Sequence, residues 1–280
     1  VKQLFDDGIL DDQFGTRTYD DINAMMINGE LGIIPGPWHL SDWALVQAKT
    51  ANPDAAFTPY AIESSDGQVN GVSKPGVGGY VVVNKNFANP ELAIKIINLL
   101  FDEVPNSTDM ETEYPEIYAY AQKSVDGSVR PMNIEMFENL SEISDAVEAS
   151  QAAEGEIDID DISSFTVKNN AQKIKTYLDD PSTADPTDWA VYASRLLAVT
   201  NVMNGVREEN IYNEITPFTT FETIKASERN GAQISKLEEE TFIKFVTGEE
   251  SLDNFDSYVK TWNSQGGQAI LEEMQKLADE

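Results

Sequence analysis

Aromatic side chains stand at turns and element ends of this sequence, where their rings could contact a small molecule. Five of them have such places and do not belong to helical stripes: Trp38, Trp43, Tyr80, Phe218 and Phe221. Aromatic faces stack on the C–H faces of sugar rings, and polar neighbours such as Asp42 and Thr219 could bond the hydroxyl groups. The residue types therefore suit the binding of a polar ring compound.

The turn that carries Trp38 has the clearest local pattern. A polar helix is predicted to stop at Asn28, Leu31–Ile34 is predicted to form a buried strand, and the Pro-Gly-Pro run at 35–37 turns the chain. Trp38 would then lie at the carboxyl end of a strand, where open α/β sheets bind small molecules. The alternative is that Trp38 and Trp43 pack a core.

Catalytic and metal chemistry finds little support in the residue types. The chain has 1 histidine, His39, and 0 cysteines, so a His-rich metal site, a disulfide and a thiolate site are excluded. His39 is interpreted as a turn residue or a hydrogen-bonding group at a cleft edge. We expect no catalytic residue, no metal site and no cofactor, and a protein that is not an enzyme. A carboxylate-dependent glycosidase stays open because the chain has 49 acidic residues, although no motif selects a pair.

Charge and hydropathy restrict the partners. The 19 Lys and Arg residues against 49 Asp and Glu give a formal charge of -30, which repels phosphate backbones, so we expect no nucleic-acid partner. The longest apolar run, Leu92–Phe101, contains Lys95 and is too short to span a bilayer. The chain begins at Val1 without an initiator Met, a signal peptide or a lipid-attachment cysteine, and we expect that an upstream segment has been removed.

Other elements follow from periodicity and caps. A second strand is expected at Tyr80–Val83 after a glycine cluster, and a helix beginning at Asn89 follows it. Residues 52–74 are expected to be irregular, and 104–231 largely helical. One helix, opened by Asp185 and stopped at Gly205, carries the apolar stripe Trp189, Tyr192, Leu196, Val199 and Met203. A second has an apolar stripe at Ile134, Phe137, Leu140, Ile143 and Val147.

The last part of the chain is the most regular. Residues 215–221 are expected to be extended, and a helix follows that ends at Gly248. Ser251 caps the next helix, whose inner face is predicted to consist of Leu252, Phe255, Val259 and Trp262. Gly266 and Gly267 close that helix before a final one. Trp189 and Trp262 lie in helical stripes and are predicted to be core residues, and the whole chain is predicted to be helix-rich α/β.

Three segments, in this order, resemble one known family. The run NGELGIIPGPW at 28–38 looks like the strand-turn signature of family 1 extracellular solute-binding proteins. The segment KPGVGGYVVVNKNFANPELAIKIINLLF at 74–101 resembles the part of those proteins that crosses between their lobes. The tail from Leu237 to Ile270, beginning LEEETFIKFVTGEES, is similar to the lipoprotein branch called LipO-like.

The resemblance implies a type II periplasmic-binding-protein-like fold, of which this chain is the C-terminal portion. Its segments would be 1–78 in the C-terminal lobe, 79–212 returning to the N-terminal lobe with a helical insertion, and 213–280 in the C-terminal lobe again. The ligand would be a carbohydrate, most readily an oligosaccharide, held between lobes that close about hinges at Val77–Tyr80 and Asn213–Pro217. We expect the 280-residue chain to bind sugars weakly or not at all, because residues of the opposite wall would lie upstream.

The same resemblance implies the partners and the compartment. The protein would deliver its ligand to the permease subunits of an ABC importer, outside the cell, and only an upstream lipid anchor of the Gram-positive type would attach it to the membrane. The family's tryptophan contact transfers to Trp38. The predicted ligand-binding set is Trp38, His39, Asp42, Trp43, Tyr80, Phe218, Thr219 and Phe221. A peptide or another non-sugar solute is the alternative, with a carboxylate held by Arg17, Arg130 or Arg195.

Overall fold

The computed structural model describes residues 1–73, 79–104, 107, 109–125, 140–218, 220 and 222–279. The chain is helix-rich with a small two-stranded parallel sheet, which is compatible with the predicted helix-rich α/β class. Its contacts divide into two units, 20–215 and a smaller one that joins 1–19 to 216–280. The border at 215/216 falls inside the expected hinge Asn213–Pro217, while the segments 1–78, 79–212 and 213–280 stay a prediction.

In chain order the helices are α1 (Lys2–Asp6), α2 (Tyr19–Ile27), α3 (Ala44–Ala51), α4 (Glu91–Asn98), α5 (Met110–Glu113), α6 (Pro115–Ala121), α7 (Ser141–Ala153), α8 (Phe165–Asp179), α9 (Pro186–Val191), α10 (Gly205–Glu208), α11 (Lys225–Thr247), α12 (Phe255–Trp262) and α13 (Gln268–Ala278). The strands are β1 (Val69–Val72) and β2 (Tyr212–Ile215). Short 3-10 turns cover Trp38–Asp42, Ile159–Asp161 and Leu252–Asn254. Among the described residues, no helix is both long enough and apolar enough to cross a bilayer.

The central helix of the larger unit runs over residues 186–208, because α9 continues through wider turns at Tyr192–Asn204 into α10. Asp185 and Asp188 form a reciprocal capping box at its start, and Pro186 occupies the first turn, as predicted. Trp189, Leu196 and Val199 of the predicted stripe are buried. The predicted stop at Gly205 is wrong: the helix ends at Glu208, and the left-handed Asn210 follows it.

The core of the larger unit is built mainly from the packing of α7, α8 and the 186–208 helix. Small alanines on α7 and α8 let Val167, Ile174 and Val191 pack without exposure between the helices. A second cluster joins Trp189 to Met26 and Leu45 of α2 and α3. Of the predicted stripe at 134–147, the part after Leu140 lies on α7, whereas Ile134 and Phe137 lie outside the described residues.

Both expected strands are wrong where the structure describes them. Residues 31–34 and 80–83 have no strand pairing within the described part of the chain, and 80–83 is exposed throughout. A strand needs a partner for its backbone groups, and the prolines at 35 and 37 cannot donate to one. Leu31 and Ile34 instead pack against the second cluster, while Ile33 is 82% exposed.

The observed sheet forms in segments that carry weak strand signals. β1 lies in the region 52–74 that was expected to be irregular, and β2 lies in the region 104–231 that was expected to be largely helical. The two pair in parallel, with Val69 opposite Tyr212 and Gly71 opposite Glu214. A Cβ on Gly71 would lie 2.0 Å from the Tyr212 hydroxyl oxygen, so the absence of a side chain at Gly71 lets the Tyr212 ring lie close to the β1 backbone.

The smaller unit is organised around α11, which packs against α1, α12 and α13. Its predicted stop at Gly248 is confirmed, with φ +81, and Ser251 caps the following 3-10 turn as predicted. The predicted inner face is correct only in part, because Leu252, Phe255 and Val259 are exposed. Trp262 is half-buried, and its Nε1 donates to Glu238 Oε1 at 2.7 Å.

A tertiary contact caps the start of α11. Glu273 on α13 accepts hydrogen bonds from the backbone N–H groups of Ala226 (2.8 Å) and Lys225 (3.0 Å). These bonds satisfy donors that a helix leaves open at its first turn. The hydrogen bond from the Ala226 N–H is the largest cause that lowers the pKa of Glu273 from its ordinary value, and the bond from the Lys225 N–H lowers it further.

Replacing Ile174 by Ala should destabilise the larger unit by about 2 to 5 kcal/mol, because a fully buried side chain would leave a cavity. Leu178→Ala on the same helix is the control, since Leu178 is 41% exposed and should cost less than about 1 kcal/mol. Urea unfolding followed by tryptophan fluorescence measures both. Equal losses would contradict the assignment of Ile174 to the core.

Replacing Glu273 by Gln should lower the unfolding temperature by a few degrees at neutral pH. The pKa of Glu273 is lower in the folded protein than in the unfolded chain, so its ionised carboxylate stabilises the fold at pH values above the unfolded pKa. This contribution is lost as the pH falls through the folded pKa. The difference between the two proteins should therefore shrink from about pH 5 downward. Glu272→Gln is the control, because Glu272 only accepts a bond from Gln268 on its own helix. A pH-independent difference would contradict the capping role.

Candidate functional site

The turn around Trp38 is positioned by its own sequence and by the second core cluster. Pro37 is extended at the entry of the 3-10 turn Trp38–Asp42, and α3 follows directly. Leu40 packs into the second cluster. It also lies over Gly36, where a Cβ would lie 2.8 Å from Leu40 Cδ2. We call Trp38–Asp42 the Trp38 turn.

Trp38 is half-buried against the larger unit. Its ring packs on the cluster of Ile143, Ala146 and Val199, so one part of it belongs to the core. The His39 ring stands edge-on to it with centroids 5.1 Å apart. The guanidinium carbon of Arg195 lies 5.0 Å from the centre of the Trp38 ring. One part of the Trp38 side chain therefore packs in the core, and the part that is not buried is the one that could contact a ligand.

Arg195 joins the Trp38 turn to the 186–208 helix. It is 6% exposed, and its Nη1 donates to Asp42 Oδ2 in an ion pair and to Ser194 Oγ at 2.7 Å. Ser194 Oγ and Ser41 Oγ both donate to the carbonyl of Ala190, at 2.7 and 3.0 Å. Turn and helix therefore share one buried polar network.

Trp43 and His39 form the more open part of the site. Trp43 is half-buried on the second cluster, and its Nε1 donates to His39 Nδ1 at 3.3 Å. Because Nδ1 accepts this bond, neutral His39 carries its proton on Nε2, on an exposed ring. The site thus presents the indole rings of Trp38 and Trp43 and the exposed Nε2–H donor of His39.

The structure brings together Trp38, His39, Asp42 and Trp43 of the predicted set. Tyr80 is 77% exposed, and within the described residues no hydrogen bond or ring contact links it to the Trp38 turn. Phe218 belongs to the smaller unit, where it lines a shallow open groove with α13 side chains that include Leu271 and Met274. Thr219 and Phe221 lie outside the described residues.

Two arginines that were considered for a carboxylate ligand already hold carboxylates of this chain. Arg17 pairs with Asp11 at 2.6 Å, and this bond lowers the pKa of Asp11. Arg195 pairs with Asp42, and Arg130 lies outside the described residues. The expectation that Arg17 or Arg195 holds a ligand carboxylate therefore meets two existing ion pairs: Asp11 lies 6 positions from Arg17, and Asp42 reaches Arg195 across 153 positions.

The sequence named Arg195 only as a possible partner of a ligand carboxylate and did not predict its contact with the Trp38 turn. Arg195 stands next to Leu196 in the apolar stripe of the central helix, and a charged residue at a buried position requires a partner. That signal was present in the sequence. The partner, Asp42, was not identifiable from it, because 153 positions separate the two residues.

Metal-ligating residues do not cluster in the described part of the chain, where no group of three or more His, Asp or Glu side chains could hold an ion. Comparison of the chain with protein-family models, with curated proteins and with solved structures finds no match in any of the three. The resemblance of 28–38, 74–101 and 237–270 to family 1 solute-binding proteins stays a prediction.

Replacing Asp42 by Asn should destabilise the larger unit by about 3 to 5 kcal/mol, since it leaves a buried guanidinium without its counter-charge. The double variant D42N/R195M removes both charges and should recover a large part of this loss. Asp11→Asn, which breaks a more exposed pair, should have a smaller effect. Thermal and urea unfolding measure these proteins together with R195M, which completes the double-mutant cycle. Additive losses in the double variant would show that the pair is not energetically coupled.

Proposed function

We propose that this chain is part of the extracellular substrate-binding component of an ABC importer and that it binds a carbohydrate at the Trp38 turn. The observation that supports this most is the half-buried Trp38 ring, fixed by Arg195 and accompanied by Trp43 and His39. Rigid aromatic rings beside a few oriented polar groups form the usual composition of a small-molecule site.

One polar group of the turn matches a hydroxyl group of a sugar. The exposed Nε2–H of His39 can donate to a hydroxyl oxygen. The tryptophan rings supply apolar faces for the C–H groups of a pyranose. The turn thus offers counterparts for a hydroxyl group and for the apolar face of a sugar ring.

Charge favours an uncharged ligand. The formal charge of -30 repels anions, and the guanidinium nearest the turn is already neutralised by Asp42. A neutral oligosaccharide meets neither obstacle. A carboxylate-bearing solute would need a cation that the described turn does not offer.

The finer architecture is part of the same proposal and depends on the order of the three resembling segments. It comprises a two-lobed type II periplasmic-binding-protein-like fold, permease subunits as partners, and an upstream lipid anchor at the cell surface. Ligand binding would stabilise the closed arrangement by the difference in its affinity for the closed and open states. No catalytic residue and no cofactor enter this mechanism.

A thermal-shift panel on the full-length product of the gene tests the proposal. The panel contains glucose, maltose, maltotriose, cellotriose, xylotriose, tri-alanine and glutamate. A sugar at a hundred times its Kd stabilises the protein by about 2.7 kcal/mol, which raises the unfolding temperature by several degrees. A shift with tri-alanine or glutamate and none with any sugar would support a non-sugar solute instead. Turnover of an oligosaccharide would indicate the glycosidase.

Replacing Trp38 by Ala in the full-length product should weaken oligosaccharide binding by about 1 to 3 kcal/mol, because a stacked aromatic face is lost. Isothermal calorimetry with the sugar that gives the largest thermal shift measures the loss. Tyr60→Ala, which removes an exposed aromatic ring outside the turn, is the control and should leave the affinity unchanged. Unchanged affinity in the Trp38 variant would remove Trp38 from the site.

A further inference from the structure

The Arg195 side chain contacts both its own buried helix and the Trp38 turn. On the core side it bonds Ser194 on its own helix, and on the site side it bonds Asp42 and lies over Trp38. Its 6% exposure leaves it little access to a ligand. Its contacts are therefore those of a residue that acts through a neighbour.

Buried side chains and a hydrogen bond to α7 hold the helix that carries Arg195. Val191 and Val199, which precede and follow Arg195 on this helix, are fully buried. Ser150 on α7 bonds Thr200, and Thr200 Oγ1 donates to the Arg195 carbonyl at 2.9 Å. The backbone at Arg195 is thus held from two helices. A rotation of Trp38 would have to break its contact with a guanidinium that is itself bonded to Asp42 and Ser194.

The guanidinium group offers a planar face that a lysine lacks. Nη1 alone donates to Asp42 and Ser194, and the guanidinium carbon lies 5.0 Å from the centre of the Trp38 ring. A lysine ammonium, which is a compact charge, could keep the ion pair but would lose the planar group beside the indole. Charge and orientation can therefore be separated by one substitution.

We propose that Arg195 is the positioning residue of the ligand site: bonded to Asp42, it sets the plane of the Trp38 ring for the carbohydrate. This role rests on the carbohydrate-binding function proposed above. Arg195 itself does not contact the ligand. Its removal should change binding through Trp38 and not through a lost hydrogen bond to the sugar.

The chain offers a matched control within the same unit. Arg207 lies 3.8 Å from the centre of the Tyr212 ring and pairs with Glu214 at 4.0 Å. It reproduces the set of arginine, aromatic ring and carboxylate at the β2 strand. R207K should disturb that set and leave the Trp38 turn unchanged.

Fluorine NMR of protein labelled with 5-fluorotryptophan reports the environment of the Trp38 ring without any ligand. The chain has 4 tryptophans, whose resonances are assigned by single Trp→Phe variants. R195K should shift or broaden the Trp38 resonance and leave that of Trp262 in place, and R207K should move neither. S194A, which removes one acceptor of the guanidinium but keeps its charge, should shift the Trp38 resonance in the same direction by less. If R195K does not fold, the Trp38 resonance of S194A still tests the proposal.

Calorimetry on the full-length product supplies the second readout, with the panel oligosaccharide that gives the largest thermal shift. R195K should weaken binding by about tenfold, the worth of one well-placed aromatic contact, while R207K keeps the affinity. An unmoved Trp38 resonance in both R195K and S194A, or an unchanged affinity in R195K, would overturn the positioning role. If no sugar binds the unsubstituted protein, the proposed function fails, and the resonance alone decides whether Arg195 orients Trp38.

Discussion

The buried pair of Arg195 and Asp42 is the interaction on which the Trp38 turn depends. Moving two charges out of water costs several kcal/mol for each ion, and only close, well-bonded partners recover that cost. Here the partners are Asp42, Ser194 and the face of Trp38, so the energetic requirement of one arginine determines the position of a whole turn. A chain that bent differently after Pro37 would leave this guanidinium buried without its counter-charge.

This dependence places the proposed binding surface beside the packed helices of the larger unit. The helix 186–208 is held by α7 and α8 through fully buried side chains, and the turn is attached to it at Ala190, Ser194 and Arg195. A site that is built on packed helices loses little order when a ligand binds, because its rings are already oriented. Trp43 and His39 extend this surface toward solvent by their mutual hydrogen bond.

Local signals in the sequence were sufficient for the elements that depend on local energetics. Asp185 with Pro186, Gly248 and Ser251 each satisfy or terminate a helix by means of neighbouring residues, and each was predicted correctly. Contacts between distant positions were not accessible in this way. The β1–β2 pairing brings Tyr212 against Gly71, the start of α11 is capped by Glu273, and Arg195 finds Asp42 across 153 positions. The expected strand before Trp38 was wrong because strand propensity requires a partner strand, which the described residues do not supply at 31–34.

The most direct measurement of the central claim is a crystal structure of the full-length gene product with the oligosaccharide that stabilises it most. The account predicts a sugar ring in van der Waals contact with Trp38, at about 3.5 to 4 Å between carbon atoms, with Arg195 still bonded to Asp42 and not to the sugar. An oligosaccharide bound away from residues 38–43, or bonded directly to the Arg195 guanidinium, would contradict it.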